Sequence, residues 1–582
     1  MTNQSSSFSL RAEDPNDQPI GYVIGGGLKA NLFVRLTKPA HEVQEGGFIV
    51  LESGTWQFYG IVTDLQLGAI DPRYAEIQNR ERLSASISQL LASQTLYTNL
   101  EVLPALMLER GPEPGAPEYE GWAREHQGEN TPRPLPIKTI PAHHAVARLA
   151  SRGDVAEIFG NPEQKGNFII GSTREQNHPV CIDLNKFVQR SSGIFGATGT
   201  GKSFLTRIIL AGLIQHNAAS ILVLDMHNEY GFDDTASDTG KSVVGLRSKF
   251  PGRVQVVGLG RNTSIRKHNP DFHLEITKSD IQPEDIELLS RELNLRETTP
   301  TTLEALVHSF GEDKWFAEFE QMVVGSVIES EDGKKVPAPD SVAYWARQAG
   351  VNEAAAEGLR SKLSRVFNRK YIIARDADDR TAPNSLRNVI EALKAGKHIV
   401  LSYGDFDSDL DYLLVSNLLT RKIREAWEEM TNDFRNKGEG EPRQLVIAVE
   451  EAHKILNREM ASQTTFSTIA REMRKYYVTL LIIDQRPSQI YDEVMSQLGT
   501  RVSGWLGDEN DIGSVLSGLA GRDALRGMLA RLQPKEEVLL LGWGVPMPIL
   551  VRSRRYDDKF WRELLGKKDD LHSDTALREL GF

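Results

Sequence analysis

The sequence has a single cysteine, Cys181, among 582 residues. No disulfide can form within the chain, and a zinc site built on several thiolates is excluded. Long apolar runs are scarce as well. The longest late one, Val538 to Val551, is broken by Gly542, Gly544, Pro546 and Pro548 and is too short to cross a bilayer as a helix. Residues 1–18 are polar and offer no apolar core for a secretory signal, so a cytoplasmic protein with no membrane partner is expected. A basic excess is also missing: the formal net charge is −12. That argues against a surface broadly coated in cations for nucleic acid. Nucleic acid held in a narrow channel by a few basic groups stays open, because field focusing depends on local charge.

What is present reads as several globular domains. After a disordered N-terminus (1–18), glycine-punctuated alternation predicts strands near 21–24, 31–36, 47–51 and 56–65. A helix is expected over about 72–92 and a Pro/Gly/Glu-rich linker over 111–136. The simplest reading is a small β-barrel domain over 19–158. From Phe168 onward, strands and helices alternate. Short apolar strands end at Asp225, at Glu450-Glu451 and at Asp484-Gln485, and Val538–Leu541 reads as a fourth. Such strands, buried on both faces, predict an α/β fold with a mostly parallel sheet and a ligand at the strands' C-terminal ends. Lys202 and Glu450 lie 248 positions apart, more than a bare nucleotide-binding core needs, so a helical insertion is expected at about 270–375 within a domain over 159–555. A charged tail, 556–582, follows.

The most specific stretch is GIFGATGTGKSF, residues 193–204. Gly196 to Ser203 fits G-x-x-x-x-G-K-[ST], preceded by a short apolar strand and followed by apolar residues at helical spacing. Glycines let successive N–H groups curl toward phosphate oxygens, and the helix adds its positive end. Gly196, Thr198, Gly199, Thr200, Gly201, Lys202, Ser203 and Phe204 are the expected ATP-binding residues, with Lys202 on the β and γ phosphates and Ser203 on Mg²⁺.

Further along, Glu450 and Glu451 end a hydrophobic strand. One carboxylate suits the Mg²⁺ water shell (Glu450), and the next suits polarising the attacking water (Glu451). A pair of glutamates stabilising a helix start is the structural alternative. Gln485, at the end of another strand, suits sensing the γ-phosphate. Arg474 is the first candidate for an arginine acting in trans, Arg190 the second and Arg501 the third. Arg360, Lys362, Arg365, Arg369 and Lys370 form a basic stretch that either contacts nucleic acid or is a solvated helix face. His143, His144 and His453 show no metal-ligand spacing, so no metal beyond Mg²⁺ is expected.

These segments together resemble the HerA ATPases, relatives of the FtsK and VirB4 motors. ILVLDMHNEY (221–230) resembles their D-x-H-x-E-Y segment, IAVEEAH and IIDQRPS match the family, and PVCIDLNKFVQRSSGIFGATGTGKS resembles the lead-in and phosphate loop. The resemblance implies a HAS-barrel-like domain followed by a RecA-like P-loop ATPase. It also implies a homohexamer that drives double-stranded DNA through its central channel. A partner, a NurA-like nuclease or a sirtuin-like or other defence effector, would dock on the barrel face, in DNA end processing or anti-phage defence. Glu450 stands where many members carry Asp. Two other readings remain at this point: an ATP-binding ring that mainly assembles and activates an effector, and a motor on another polymer. No role is assigned to Asp225, His227, Glu229 or Tyr230.

Overall fold

The computed structural model describes residues 18–566 apart from 29, 70–95, 113–114, 127–129, 236–239, 241, 262, 266–267, 332, 375–383, 461–463 and 520. The helix expected at 72–92, most of the N-terminal segment and the end of the tail lie outside the described residues. The chain divides into two compact units. One comprises Met1–Phe187, Phe195–Ile208 and Gly499–Phe582, the other Val188–Ile194 and Ile209–Leu498.

In the first unit, antiparallel strands follow the order Ala30–Leu36, Gly21–Gly27, Val146–Leu149, Phe48–Ser53, Trp56–Ala69, Leu96–Glu109 and Leu135–Pro136. A further pairing of Ala30–Leu36 with Leu96–Glu109 closes six of them into a barrel and leaves no free edge between them. Alternation supplies the interior: Val23, Leu32, Val34, Leu51, Phe58 and Val102 share one buried cluster. Leu51 sits opposite Phe58, a cross-strand apolar pair. The strand Leu96–Glu109 was not anticipated, and the stretch read as a linker holds a helix, Tyr119–Glu125, and the strand Leu135–Pro136. Below the barrel, Arg148 is held at Asp154 by Nη1–Oδ2 at 2.6 Å and at Glu52 by Nε–Oε1 at 2.7 Å. Asp154 also closes a capping box with Ser151 at the start of the Arg152–Phe159 helix.

The same unit carries the strands Thr500–Ser503, Glu537–Gly542, Ile549–Ser553, Asn167–Ser172 and Pro179–Asp183. Here an expectation is corrected: the strand around Val538–Leu541 is antiparallel to both neighbours, with Val502 opposite Leu540 and Leu539 opposite Leu550. Burial on both faces does not reveal strand direction. The short connection to Ile549 admits only a hairpin, since a parallel return needs a long crossover.

In the second unit, six parallel strands run in the order Phe272–Leu274, Val254–Leu259, His398–Ser402, Ser220–Asp225, Leu445–Glu450 and Val478–Asp484. The last three are buried along their whole length, as their apolar runs require. A 29-residue helix, Asp409–Lys437, starts at the Ser408 cap and ends at Gly438 with φ 73°. The region expected to be a helical insertion contains helices Pro283–Glu287, Thr299–Phe310, Trp315–Gln321, Val342–Ala349 and Glu353–Phe367, and also a hairpin, Val327–Glu329 with Lys335–Pro337.

Candidate functional site

In the first unit, the phosphate-loop stretch leads from the end of the Ser192–Phe195 strand into the helix Lys202–Gln215. Gly199 and Gly201 have φ of +77° and +89°, which side chains rarely adopt. Thr200 closes the loop on itself, its N–H and Oγ1 both donating to the carbonyl of Ala197, at 3.2 and 2.7 Å. A Cβ on Gly196 would lie 2.6 Å from Thr200 Oγ1. The loop is tied from outside by Gly504 N–H to Phe195 O, Ala197 N–H to Trp505 O and Lys535 N–H to Thr200 O. Thr198 and Gly199 are exposed, and Lys202, Ser203 and Phe204 are half-buried at the helix start. A glycine loop shaped this way, opening onto a helix N-terminus, fits an anionic phosphate chain.

Phe204 also faces the tail. Its ring lies 6.2 Å from that of Tyr556, and the Arg207 guanidinium sits 5.4 Å from the Phe204 centroid and 5.9 Å from that of Tyr556. The tail's described part is therefore anchored. Phe560 and Trp561, in the helix Asp558–Leu565, are buried and pack on Tyr556.

In the second unit, the parallel strands deliver the acidic residues to their C-terminal ends. Glu450 is 4% exposed. Its Oε1 accepts from Tyr230 Oη and its Oε2 from His227 N–H, both at 3.4 Å, and Tyr412 Oη donates to its backbone carbonyl at 2.6 Å. This gives the D-x-H-x-E-Y segment a physical account that its sequence did not provide. Asp225 ends a strand and accepts Glu229 N–H and Tyr230 N–H at 2.8 and 2.9 Å, folding 226–230 into a turn that aims Tyr230 and the His227 amide at Glu450. Asn228 is tied to Ser402 at the end of the next strand.

Glu451 follows in a left-handed conformation, φ 48° and ψ 48°, unusual for a residue with a side chain. Gln485 Nε2 donates to Glu451 Oε2 at 3.3 Å, so these two predicted residues meet. Nearby, His453 Nδ1 lies 3.0 Å from Asp484 Oδ2 and 3.5 Å from Glu451 Oε2. The hydrogen bond to Asp484 holds the His453 imidazole above its usual range, against the opposing effect of burial. Burial alone would raise the Asp484 carboxyl, but the His453 hydrogen bond and charge and two backbone N–H groups outweigh it and hold it low. Oxygen and nitrogen atoms of Glu451, His453 and Asp484 lie within 4.8 Å of one another, a grouping that the sequence spacing did not show. The spacing hid the group because Asp484 arrives on the adjacent strand. His144, by contrast, packs on Tyr22, at 5.5 Å between rings.

The arginines separate clearly. Arg474 is exposed on the turn Met473–Tyr476, and Arg190 is half-buried. Arg501 is 4% exposed and Nη1 donates to the carbonyls of Val515 at 2.6 Å and Ser517 at 2.7 Å, so it is committed within its own chain. Burial pushes its pKa down to about 10. The basic stretch is spent internally as well. Arg365 Nη1 donates to Glu292 O at 2.6 Å, Arg360 and Lys362 reach the carbonyls of Glu320 and Asn294, and Arg369 pairs with Asp411. Arg365 is exposed and Arg360, Lys362 and Arg369 are half-buried, so the stretch is a partly solvated face whose cations also hydrogen-bond within the chain.

The family described as "Helicase HerA, central domain" matches residues 168–423. The chain is 24% identical over 559 residues to the DNA double-strand break repair helicase HerA of Saccharolobus solfataricus, covering 95% of this chain and 94% of the relative. To the Pyrococcus furiosus protein of the same name it is 22% identical over 428 residues, covering 67% and 69%. Among solved structures, the plasmid coupling protein TrwB in complex with ADP and Mg²⁺ aligns with a TM-score of 0.40 and 12% identity, over 70% of this chain and 93% of that one. No described helix is long and apolar enough to cross a membrane. The chain is thus similar to the HerA helicases along most of its length, and its closed N-terminal barrel, parallel-sheet core and phosphate loop fit an ATPase of that type.

Proposed function

We propose that this ATPase uses ATP hydrolysis to move double-stranded DNA through a ring of six copies, in concert with a nuclease or another effector docked on the barrel. The observation that carries the reading is the strand-end carboxylate Glu451 held by Gln485, in a chain that also carries a phosphate-binding loop and matches HerA helicases along 95% of its length. In this reading, the N–H groups of residues 196–203 and Lys202 bind the phosphates. Ser203 and, through water, Glu450 hold Mg²⁺, which supplies positive charge against the phosphates when bound. Glu451 accepts a hydrogen bond from the attacking water and orients it, while Gln485 fixes the carboxylate. Arg474, exposed, is the arginine offered to the nucleotide of a neighbouring copy.

The test is phosphate release by the purified chain with and without linear double-stranded DNA, with native mass measured in parallel. The expected result is a six-copy mass and DNA-stimulated turnover, lost in Lys202→Ala and Glu451→Gln. A ring that binds ATP yet turns it over slowly with or without DNA would overturn the translocase and leave an effector scaffold.

A further inference from the structure

The motor reading uses Glu451 and Gln485 but leaves Asp484 and His453 without a task. Both are costly to place where they are. Asp484 is fully buried at the end of the Val478–Asp484 strand, and an unpaired carboxylate there would be strongly unfavourable. Its oxygens accept from both strand ends, the turn after Glu451 and the residue after Gln485. Oδ2 accepts His453 N–H at 2.7 Å and His453 Nδ1 at 3.0 Å, and Oδ1 accepts Arg486 N–H at 2.7 Å. One side chain therefore clamps the backbone of residues 453 and 486, which flank Glu451 and Gln485. Glu451 itself needs a clamp, because its left-handed backbone is disfavoured for a non-glycine residue. Its carbonyl closes the turn by accepting Lys454 N–H at 2.9 Å.

We propose that Asp484 and His453 form a positioning pair for Glu451: Asp484 locks the turn and orients the imidazole, and the His453 ring packs against the Glu451 carboxylate. The inference rests on Glu451 being the water-orienting carboxylate. Gln485 Nε2 donates to Glu451 Oε2 at 3.3 Å, and the His453 ring, hydrogen-bonded through Nδ1 to Asp484, lies against the same oxygen at 3.5 Å. The charged groups acting on His453 are Asp484, Glu451 and Lys454, the first two favouring the imidazolium and the third opposing it. The ring beside Glu451 and the clamped turn beneath it keep the carboxylate in place, so the pair acts on turnover and not on nucleotide binding.

The experiment measures kcat and KM for ATP across pH, with linear DNA, for the full chain and for Asp484→Asn, His453→Gln and Glu451→Gln, with melting temperatures alongside. Asp484→Asn and His453→Gln are each expected to lower kcat by about ten- to a hundred-fold, the loss that a misplaced reacting group brings. KM should stay within about two-fold, since binding does not use the pair. The acidic limb of the kcat profile should move in both variants. His453 is half-buried, so His453→Gln gives a folded test even if Asp484→Asn melts early. Unchanged kcat and pH profile in His453→Gln, with Glu451→Gln dead, would overturn the pair and leave the motor reading standing. Full turnover by Glu451→Gln would overturn the catalytic assignment and the pair with it.

Discussion

Two arginines open for the same role from sequence have opposite physical characters, and replacing each by methionine separates them. Arg501 donates to the carbonyls of Val515 and Ser517, and removing it strips both acceptors of that donor, at about 1–3 kcal/mol each. Against this, burial has already pushed its pKa down to about 10, so the charged form carries a penalty of about 3 kcal/mol that methionine does not. The two contributions largely offset, and Arg501→Met should destabilise by no more than about 3 kcal/mol. Its turnover should remain within about two-fold of the parent, because an arginine bound to its own chain does not reach a neighbour's nucleotide. Arg474 is exposed, so Arg474→Met should change stability by less than about 0.5 kcal/mol. Turnover should nevertheless fall by about a thousand-fold, the scale of a missing trans arginine. Phosphate release and thermal melting read both effects, and mixing reads the geometry. Arg474→Met mixed with Glu451→Gln forms some interfaces that carry an intact Arg474 from one copy and an intact Glu451 from the other. Activity should reappear in the mixture. Parent-like turnover by Arg474→Met, or a hundred-fold loss in Arg501→Met at an unchanged melting temperature, would refute this assignment.

Other outcomes follow from the same structure. Gly199→Ala forces a side chain into φ +77°, so ATP affinity should drop about ten-fold, matching about 1–2 kcal/mol of backbone strain, as read by equilibrium nucleotide binding. Asp154→Ala removes the buried carboxylate that pairs with Arg148 and should cost the barrel about 3–5 kcal/mol, seen as early proteolysis within residues 20–150. His398 is buried with neither ring nitrogen hydrogen-bonded, and burial pushes its pKa from 6.5 to about 3. The unfolded chain therefore takes up this proton first as pH falls. The stability it contributes is intact above about pH 6.5 and is lost toward pH 3 at about 1.4 kcal/mol per pH unit, a slope that should flatten in His398→Leu denaturation curves.

Local signals read well where one physical requirement dominates. The phosphate loop was legible because only glycines at 199 and 201 satisfy its positive φ values, and the Glu450-Glu451 strand end because a fully apolar run has one place to go in a parallel sheet. Barrel strands with clean alternation were legible for the same reason. The strand Leu96–Glu109 was not, since its burial follows no simple period along 14 residues. Strand direction at Glu537–Gly542 is decided by its partners and leaves no mark in its own residues. The Asp484–His453–Glu451 group was invisible because it joins neighbouring strands whose ends are 31 and more positions apart in sequence. For the basic stretch, composition records charge but not the carbonyls its side chains reach.

The ties on the phosphate loop also set a timetable. Phe195, Ala197 and Thr200 are hydrogen-bonded to Gly504, Trp505 and Lys535, and Phe204 packs on Tyr556, all supplied by the last part of the chain. At bacterial or archaeal elongation rates, the interval between making Thr200 and making Lys535 is roughly 20–70 s. Throughout that interval the nascent chain carries the nucleotide-binding motif without the backbone partners that hold its shape. A ribosome-bound fragment ending before residue 504 should therefore not retain ATP, and nucleotide binding becomes a signal that synthesis of the molecule is complete.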